Sequence, residues 1–231
     1  GRSPVTQSSV RFLDSVTAVL RCHGRRSKPH RQGPDLPLVD SQPIGFRNPF
    51  WNPLRDTYVF AARPSPGDRR IAVYETSDWR TFSKPEIALQ ADPLDSPMAL
   101  LYGMPVLPYE GYFIGFLWIF HTDPNLVTEA PMADVARYSA GVATRDHKGY
   151  LGRIDCQLTY SSNGWHFQRS LRDPFMPNAG HGEDGAGQIY PSSFVRTDDA
   201  IRIYSSSARY EHGQAEDSTD WSQSPLLVHE L

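Results

Sequence analysis

Val73-Tyr74-Glu75-Thr76-Ser77-Asp78-Trp79-Arg80-Thr81-Phe82 returns further along the chain as Leu158-Thr159-Tyr160-Ser161-Ser162-Asn163-Gly164-Trp165-His166-Phe167. In each copy an apolar strand carries a Tyr near its end, a Ser/Asp/Asn turn follows, and a Trp stands just ahead of a Phe. Such a pattern, bounded by turn formers, marks a β-hairpin. The Asp or Asn side chain can close the turn on its own backbone, while the Trp covers the end of the hairpin.

The segments ahead of the hairpins repeat as well. Asn48-Pro49-Phe50-Trp51 leads through the turn at 52–56 into a strand over 57–62. Met104-Pro105-Val106-Leu107 leads through Pro108-Tyr109-Glu110-Gly111 into a strand over 112–120. Tyr190-Pro191-Ser192-Ser193-Phe194 leads through 196–199 into a strand over 201–206. The first two units continue to a third strand and the Trp hairpin, which makes four strands each; the third unit reaches its third strand at 226–231. Four-stranded antiparallel units in series are the blades of a β-propeller, with the innermost strand first. The expected fold is therefore all-β, with roughly two and a half blades over 41–231 against the at least four that a closed ring takes.

Residues 1–40 read differently. Arg21, Arg25, Arg26, Lys28 and Arg31 crowd among Gly, Pro and His, as in an irregular basic arm. Two long inserts interrupt the repeats, at 121–152 and at 210–223, and inserts of that length in a compact domain are functional loops or disordered segments.

The bulk composition agrees with a strand-rich globular chain: 231 residues, 39% hydrophobic, 12% aromatic and 20 prolines. A formal net charge of -3, with basic residues gathered only in the arm, gives no reason to expect a nucleic-acid partner. The longest apolar run, 112–120, has the length of a strand and falls short of the roughly 20 residues of a membrane helix. Cys22 and Cys156 form no disulfide framework and no zinc spacing. Neither a metal nor a cofactor is called for. The N-terminus lacks the pattern of a secretory signal, and neither compartment nor oligomeric state is legible.

In a propeller the residues just ahead of each inner strand converge at one end of a central funnel. The first unit supplies Arg47 and Asn48, the second Asp92, Asp95 and Tyr102, and the third Glu183, Asp184 and Gln188. The third set lies in Gly180-His181-Gly182-Glu183-Asp184-Gly185-Ala186-Gly187, a glycine-rich segment feeding straight into a strand. Carboxylates from two blades facing one funnel are what glycosidic cleavage requires: one acid protonates the leaving oxygen, and a base or nucleophile acts on the opposite face. The expected catalytic residues are Asp95 with Glu183 or Asp184. Arg47, Asn48, Tyr102, His121, Gln188, Arg209 and His212 are the expected sugar contacts.

Several of these runs resemble the five-bladed β-propeller glycoside hydrolases related to families 32 and 43. They are Arg47-Asn48-Pro49-Phe50-Trp51-Asn52-Pro53 with Tyr58, Arg69-Arg70-Ile71-Ala72, Leu101-Tyr102-Gly103-Met104-Pro105-Val106 with Tyr109-Glu110-Gly111, and Pro174-Phe175-Met176-Pro177 ahead of the glycine-rich loop. The resemblance covers about residues 44–231. It implies a carbohydrate partner and three acids, one from each of three blades. Asp95 and the Glu183/Asp184 pair match two of those places by position. Asn48 and Asn52 stand where the first acid would be, which leaves two further readings: a non-catalytic carbohydrate-binding or interaction propeller, and a truncated inactive relative.

Overall fold

The computed structural model describes residues 48–65, 68–122, 151–212 and 224–231, and every regular element among them is a strand. The expected basic arm and most of both expected inserts lie outside the described residues. β1 (Pro49–Asn52), β2 (Thr57–Ala62), β3 (Ile71–Thr76) and β4 (Glu86–Leu89) form a four-stranded antiparallel sheet in chain order. The second unit starts with β5 (Ala99–Gly103) and β6 (Val106–Tyr109), which pair end to end along β7 (Tyr112–Thr122); β8 (Gly152–Ser161) and β9 (Gln168–Arg169) follow. In the third unit β10 (Gln188–Arg196), β11 (Ile201–Ala208) and β12 (Leu226–Glu230) are again antiparallel in chain order.

Both Trp hairpins fall where the repeat places them. β3 ends in a turn closed by Asp78, whose carboxylate accepts from the backbone N–H groups of Arg80 and Thr81 at 2.8 Å each. β8 ends in a turn closed by Asn163, whose Oδ1 accepts from the N–H groups of Trp165 and His166 at 2.9 Å. The two Trp side chains part company. Trp165 is buried between the first two units, with the Arg55 guanidinium 4.1 Å over its ring. Trp79 is half exposed, its ring centroid 4.6 Å from that of Tyr58.

One boundary differs from expectation. The inner strand of the second unit begins at Ala99, ahead of Met104, because Ala99, Leu100 and Leu101 are all buried against β7. Pro105 has no N–H to give to the ladder, and the strand is interrupted there.

β7 explains how the units stack. Phe113, Leu117 and Ile119 pack with Phe50, Val59, Ile71 and Val73 of the first sheet. Phe116, Trp118 and Phe120 pack on the opposite side with Ile189 and Ile203 of the third unit. The strand is covered on both faces, so its sequence is a nearly continuous apolar run instead of an alternating one. The indole Nε1 of Trp118 donates to the Pro191 carbonyl at 2.9 Å, which ties β7 to β10 across that interface. A single parallel pair, Gln188 with Ile154, then joins β10 to β8. The arrangement is an all-β stack of antiparallel sheets.

Among the described residues no helix is long and apolar enough to cross a membrane. None of their His, Cys, Asp and Glu side chains form a group of three or more suited to a metal ion.

Candidate functional site

Where β7 ends and β8 begins, a cleft of about 490 Å³ opens, lined by His121, Thr122, Gly152, Arg153, Asp155, Asn178 and Glu211. Its walls come from two units, because Glu211 follows β11 while the others lie on β7, β8 and the segment after β9. Gly152 makes the joint. Its backbone carbonyl accepts from the His212 N–H at 2.8 Å, and the two residues form an isolated antiparallel bridge. A Cβ at Gly152 would lie 2.0 Å from the His121 carbonyl oxygen, and its φ of +151° is one that side-chain-bearing residues rarely adopt.

Asp155 is the buried acid of this cleft. Its side chain is 9% exposed, and Oδ2 lies 2.9 Å from Nε2 of His121. Oδ1, also buried, has no hydrogen-bond partner among the described residues, and neither does Oγ1 of Thr122. A buried carboxylate oxygen without a donor is costly, and such groups gather at strained or reactive places in a fold. Opposite, Nε of Arg153 donates to Oε1 of Glu211 at 3.3 Å and fixes the second acid to the rim. Asn178 donates to the carbonyls of Ile154 and Gly185, which holds the cleft floor to the glycine-rich loop.

A second cluster adjoins it through His212. The hydroxyl of Tyr102 lies 3.0 Å from Nε2 of His212, whose ring centroid is 4.7 Å from that of Phe120. Tyr190 sits 6.1 Å from Tyr102 between ring centroids and donates its hydroxyl to Oε1 of Gln188. Gln188 in turn donates to the Tyr210 carbonyl at 3.0 Å. Burial pushes the Tyr190 phenol well above its ordinary range, so at neutral pH it remains a hydrogen-bond donor.

Three of the residues expected from sequence therefore share one cluster, Tyr102, Gln188 and His212, while His121 lines the cleft. Asn48 stands half-buried just ahead of β1, and Arg47 lies outside the described residues. Arg209 and Asp184 meet each other, Nε to Oδ1 at 2.6 Å. Glu183 turns back to accept the Gly180 N–H at 3.1 Å. The closeness provided by Gly187 serves the fold: a Cβ there would lie 2.0 Å from the Tyr210 carbonyl oxygen.

Asp95 belongs to a different network. Oδ2 accepts from Nη1 of Arg169 at 2.7 Å and from the Asp92 N–H at 2.9 Å, and Oδ1 accepts from Nη1 of Arg172 at 3.1 Å. Arg169 is further gripped by Oε1 of Gln157, at 2.8 and 2.6 Å. Burial alone would raise the Asp95 carboxyl, but the Arg169 hydrogen bond, the Asp92 N–H and the arginine charges hold it below the usual carboxylate range. Asp95, Glu183 and Asp184 are absent from the lining of the cleft.

Asp155, Arg153 and Glu211 were not singled out by sequence reasoning. A signal existed for the first: Asp155, Gln157, Thr159 and Ser161 recur every second residue along β8, and all are buried. Polar residues on a buried strand face need partners, and this row finds them in His121, Arg169, Gly115 and Asn163. Nothing local marks Glu211, which stands at the cleft beside the Gly152 to His212 bridge.

No protein-family model matches the sequence, and a search of curated proteins finds no match. Solved structures do resemble it. An endo-arabinase from Bacteroides thetaiotaomicron matches with a TM-score of 0.49 at 11% identity, over 83% of this chain and 53% of that one. A protein described as a glycoside hydrolase matches with a TM-score of 0.48 at 8% identity, over 80% and 45%. A Bombyx mori GH32 beta-fructofuranosidase variant in complex with sucrose matches with a TM-score of 0.45 at 11% identity, over 83% and 34%. The likeness is to glycoside hydrolases. The chain spans about half the length, or less, of these structures.

Proposed function

We propose that the cleft between His121 and Glu211 binds carbohydrate and cleaves a glycosidic bond there, with Asp155 and Glu211 as the two acids. The observation that carries this reading is the pair itself. Two carboxylates from different units, Asp155 and Glu211, line one cleft, and the buried Asp155 keeps one oxygen without a hydrogen-bond partner among the described residues. Glycosidic cleavage takes one carboxyl group to protonate the leaving oxygen and another to activate water or to attack the sugar carbon. Thr122, Asn178 and Arg153 supply donors and acceptors of the kind that bind sugar hydroxyls. Tyr102 and His212 add ring surface beside the cleft. The resemblance of the inner-strand motifs to propeller glycosidases points to the same chemistry.

The second reading is a carbohydrate-binding propeller without catalysis, favoured by a separate observation. Asp95 and Asp184 are ion-paired to arginines, and Glu183 is bound to its own loop, so the acids at the places the resemblance indicates are already engaged.

A panel of aryl glycosides and oligosaccharides tests both readings, run on the wild type and on Asp155→Asn, Glu211→Gln, Glu183→Gln, Asp184→Asn and Asp95→Asn. Loss of turnover confined to the first two supports the cleft assignment. Loss in the Glu183 or Asp184 variants, with the first two active, moves the reacting centre to the glycine-rich loop. Sugar binding by calorimetry with no turnover of any substrate selects the binding reading.

A further inference from the structure

Tyr102 meets guanidinium groups as well as His212. Arg63, which follows β2, places its guanidinium carbon 4.7 Å from the Tyr102 ring centroid, and Arg69, ahead of β3, places its own at 5.5 Å. Nε and Nη2 of Arg63 both donate to the Tyr102 carbonyl oxygen at 3.3 Å, and Nη1 has no hydrogen-bond partner among the described residues. Among the described residues no carboxylate pairs with this cation. Arg55 has Glu75, Arg70 has Asp68, Arg169 has Asp95 and Arg209 has Asp184, whereas Arg63 meets a neutral carbonyl and the face of the Tyr102 ring. Burial works against its charge more than the tyrosines favour it, and its pKa is drawn below the ordinary value. Arginine nevertheless stays protonated under any physiological condition. A half-buried permanent cation with donors to spare is a receptor for an anion.

We propose that Arg63 receives the anionic group of an acidic saccharide, a uronate carboxylate or a sulfate ester, seated beside Tyr102 and His212. The proposal rests on the reading of the adjoining cleft as a carbohydrate site and names the substrate class. The planar guanidinium matches two oxygens of either group, which an ammonium at the same place would bind less specifically. The Tyr102 ring, flanked by Arg63 and His212, sets an aromatic wall beside the cation.

The experiment is calorimetry on the full chain with four matched oligosaccharides: an oligogalacturonate, its methyl ester, its carboxyl-reduced neutral form, and a sulfated neutral oligosaccharide of equal length. The wild type is expected to bind one of the two anionic ligands at least about tenfold more tightly than the ester and the reduced form, a gap of about 1.4 kcal/mol. Whichever anion is preferred identifies the group as carboxylate or sulfate. Arg63→Met is expected to close the gap, and Arg63→Lys to narrow it. The comparison of acid with ester in the wild type does not depend on how either variant folds. Equal affinity for all four ligands overturns this inference and leaves the cleft reading standing. No binding of any saccharide overturns both.

Discussion

Nε2 of His121 lies 2.9 Å from Oδ2 of Asp155, the two residues standing on neighbouring strands with the cleft at their edge. The histidine fixes one oxygen of the buried carboxylate, and the other, also buried, has no hydrogen-bond partner among the described residues. Its own side chain is 43% exposed, so it contributes little packing and much orientation.

His121→Ala should therefore lower kcat by about 100-fold on any substrate the wild type turns over, at the low end of the range for acid–base groups. Its removal also strips the buried Asp155 carboxylate of its hydrogen-bond partner, so the melting temperature should fall as well. Steady-state kinetics beside a thermal melt measures both. A large fall in melting temperature with unchanged kcat would assign His121 to the fold alone.

The Arg169 to Asp95 pair should act on stability. The two side chains are 4% and 6% exposed, so each is committed to the other. Arg169→Met leaves Asp95 with a weakened set of donors in a buried place, and should cost about 3–5 kcal/mol by urea titration. The folded-state pKa of Asp95 lies below its unfolded value. Its contribution is thus fully present above the unfolded pKa of about 3.9 and is lost as pH falls through the folded pKa. Wild-type stability should drop as the pH is lowered below about 4, and Asp95→Asn should flatten that part of the curve. A curve unchanged by Asp95→Asn would mean that other carboxylates dominate acid unfolding.

The repeated Trp hairpin carried the fold because both turns are closed by local side-chain bonds, from Asp78 and Asn163, that depend on nothing distant. The same cannot hold for Asp155 and Glu211, whose meeting depends on how two units are joined, through the Gly152 to His212 bridge and the Gln188 to Ile154 pair. Tyr102, Gln188 and His212 were legible because each adjoins an inner strand or a polar insert, and the stacking of units brings such places together. Asp95 shows the converse: it sits where an inner-strand acid is expected, yet Arg169 and Arg172 claim both its oxygens. Sequence position made it a candidate, and long-range pairing with the two arginines decided what it meets.

Gly152 should be hard to replace. Gly152→Ala sets a methyl group within 2.0 Å of the His121 carbonyl at a backbone angle unsuited to alanine, so β7 and β8 must part at the cleft. A loss of stability of more than about 1 kcal/mol is expected, together with weaker saccharide binding. Full retention of both would show that the close approach at this joint is dispensable.

Tyr102→Phe keeps the ring and removes the hydroxyl that meets His212 at 3.0 Å. Saccharide affinity should fall by a factor of about 2 to 13, the value of one ordinary hydrogen bond. Tyr102→Ala should cost more, since it also removes the ring beneath Arg63. Equal effects of the two substitutions in calorimetry would mean that the ring face does not touch the ligand.

The most direct measurement is oligosaccharide turnover by the wild type, Asp155→Asn and Glu211→Gln, with sugar affinity measured on the same preparations. Each substitution should lower kcat by at least about 100-fold while the folded protein still binds the sugar. Wild-type rates in both variants, or a wild type that turns over no sugar at all, would contradict the assignment of this cleft as a glycosidic active site.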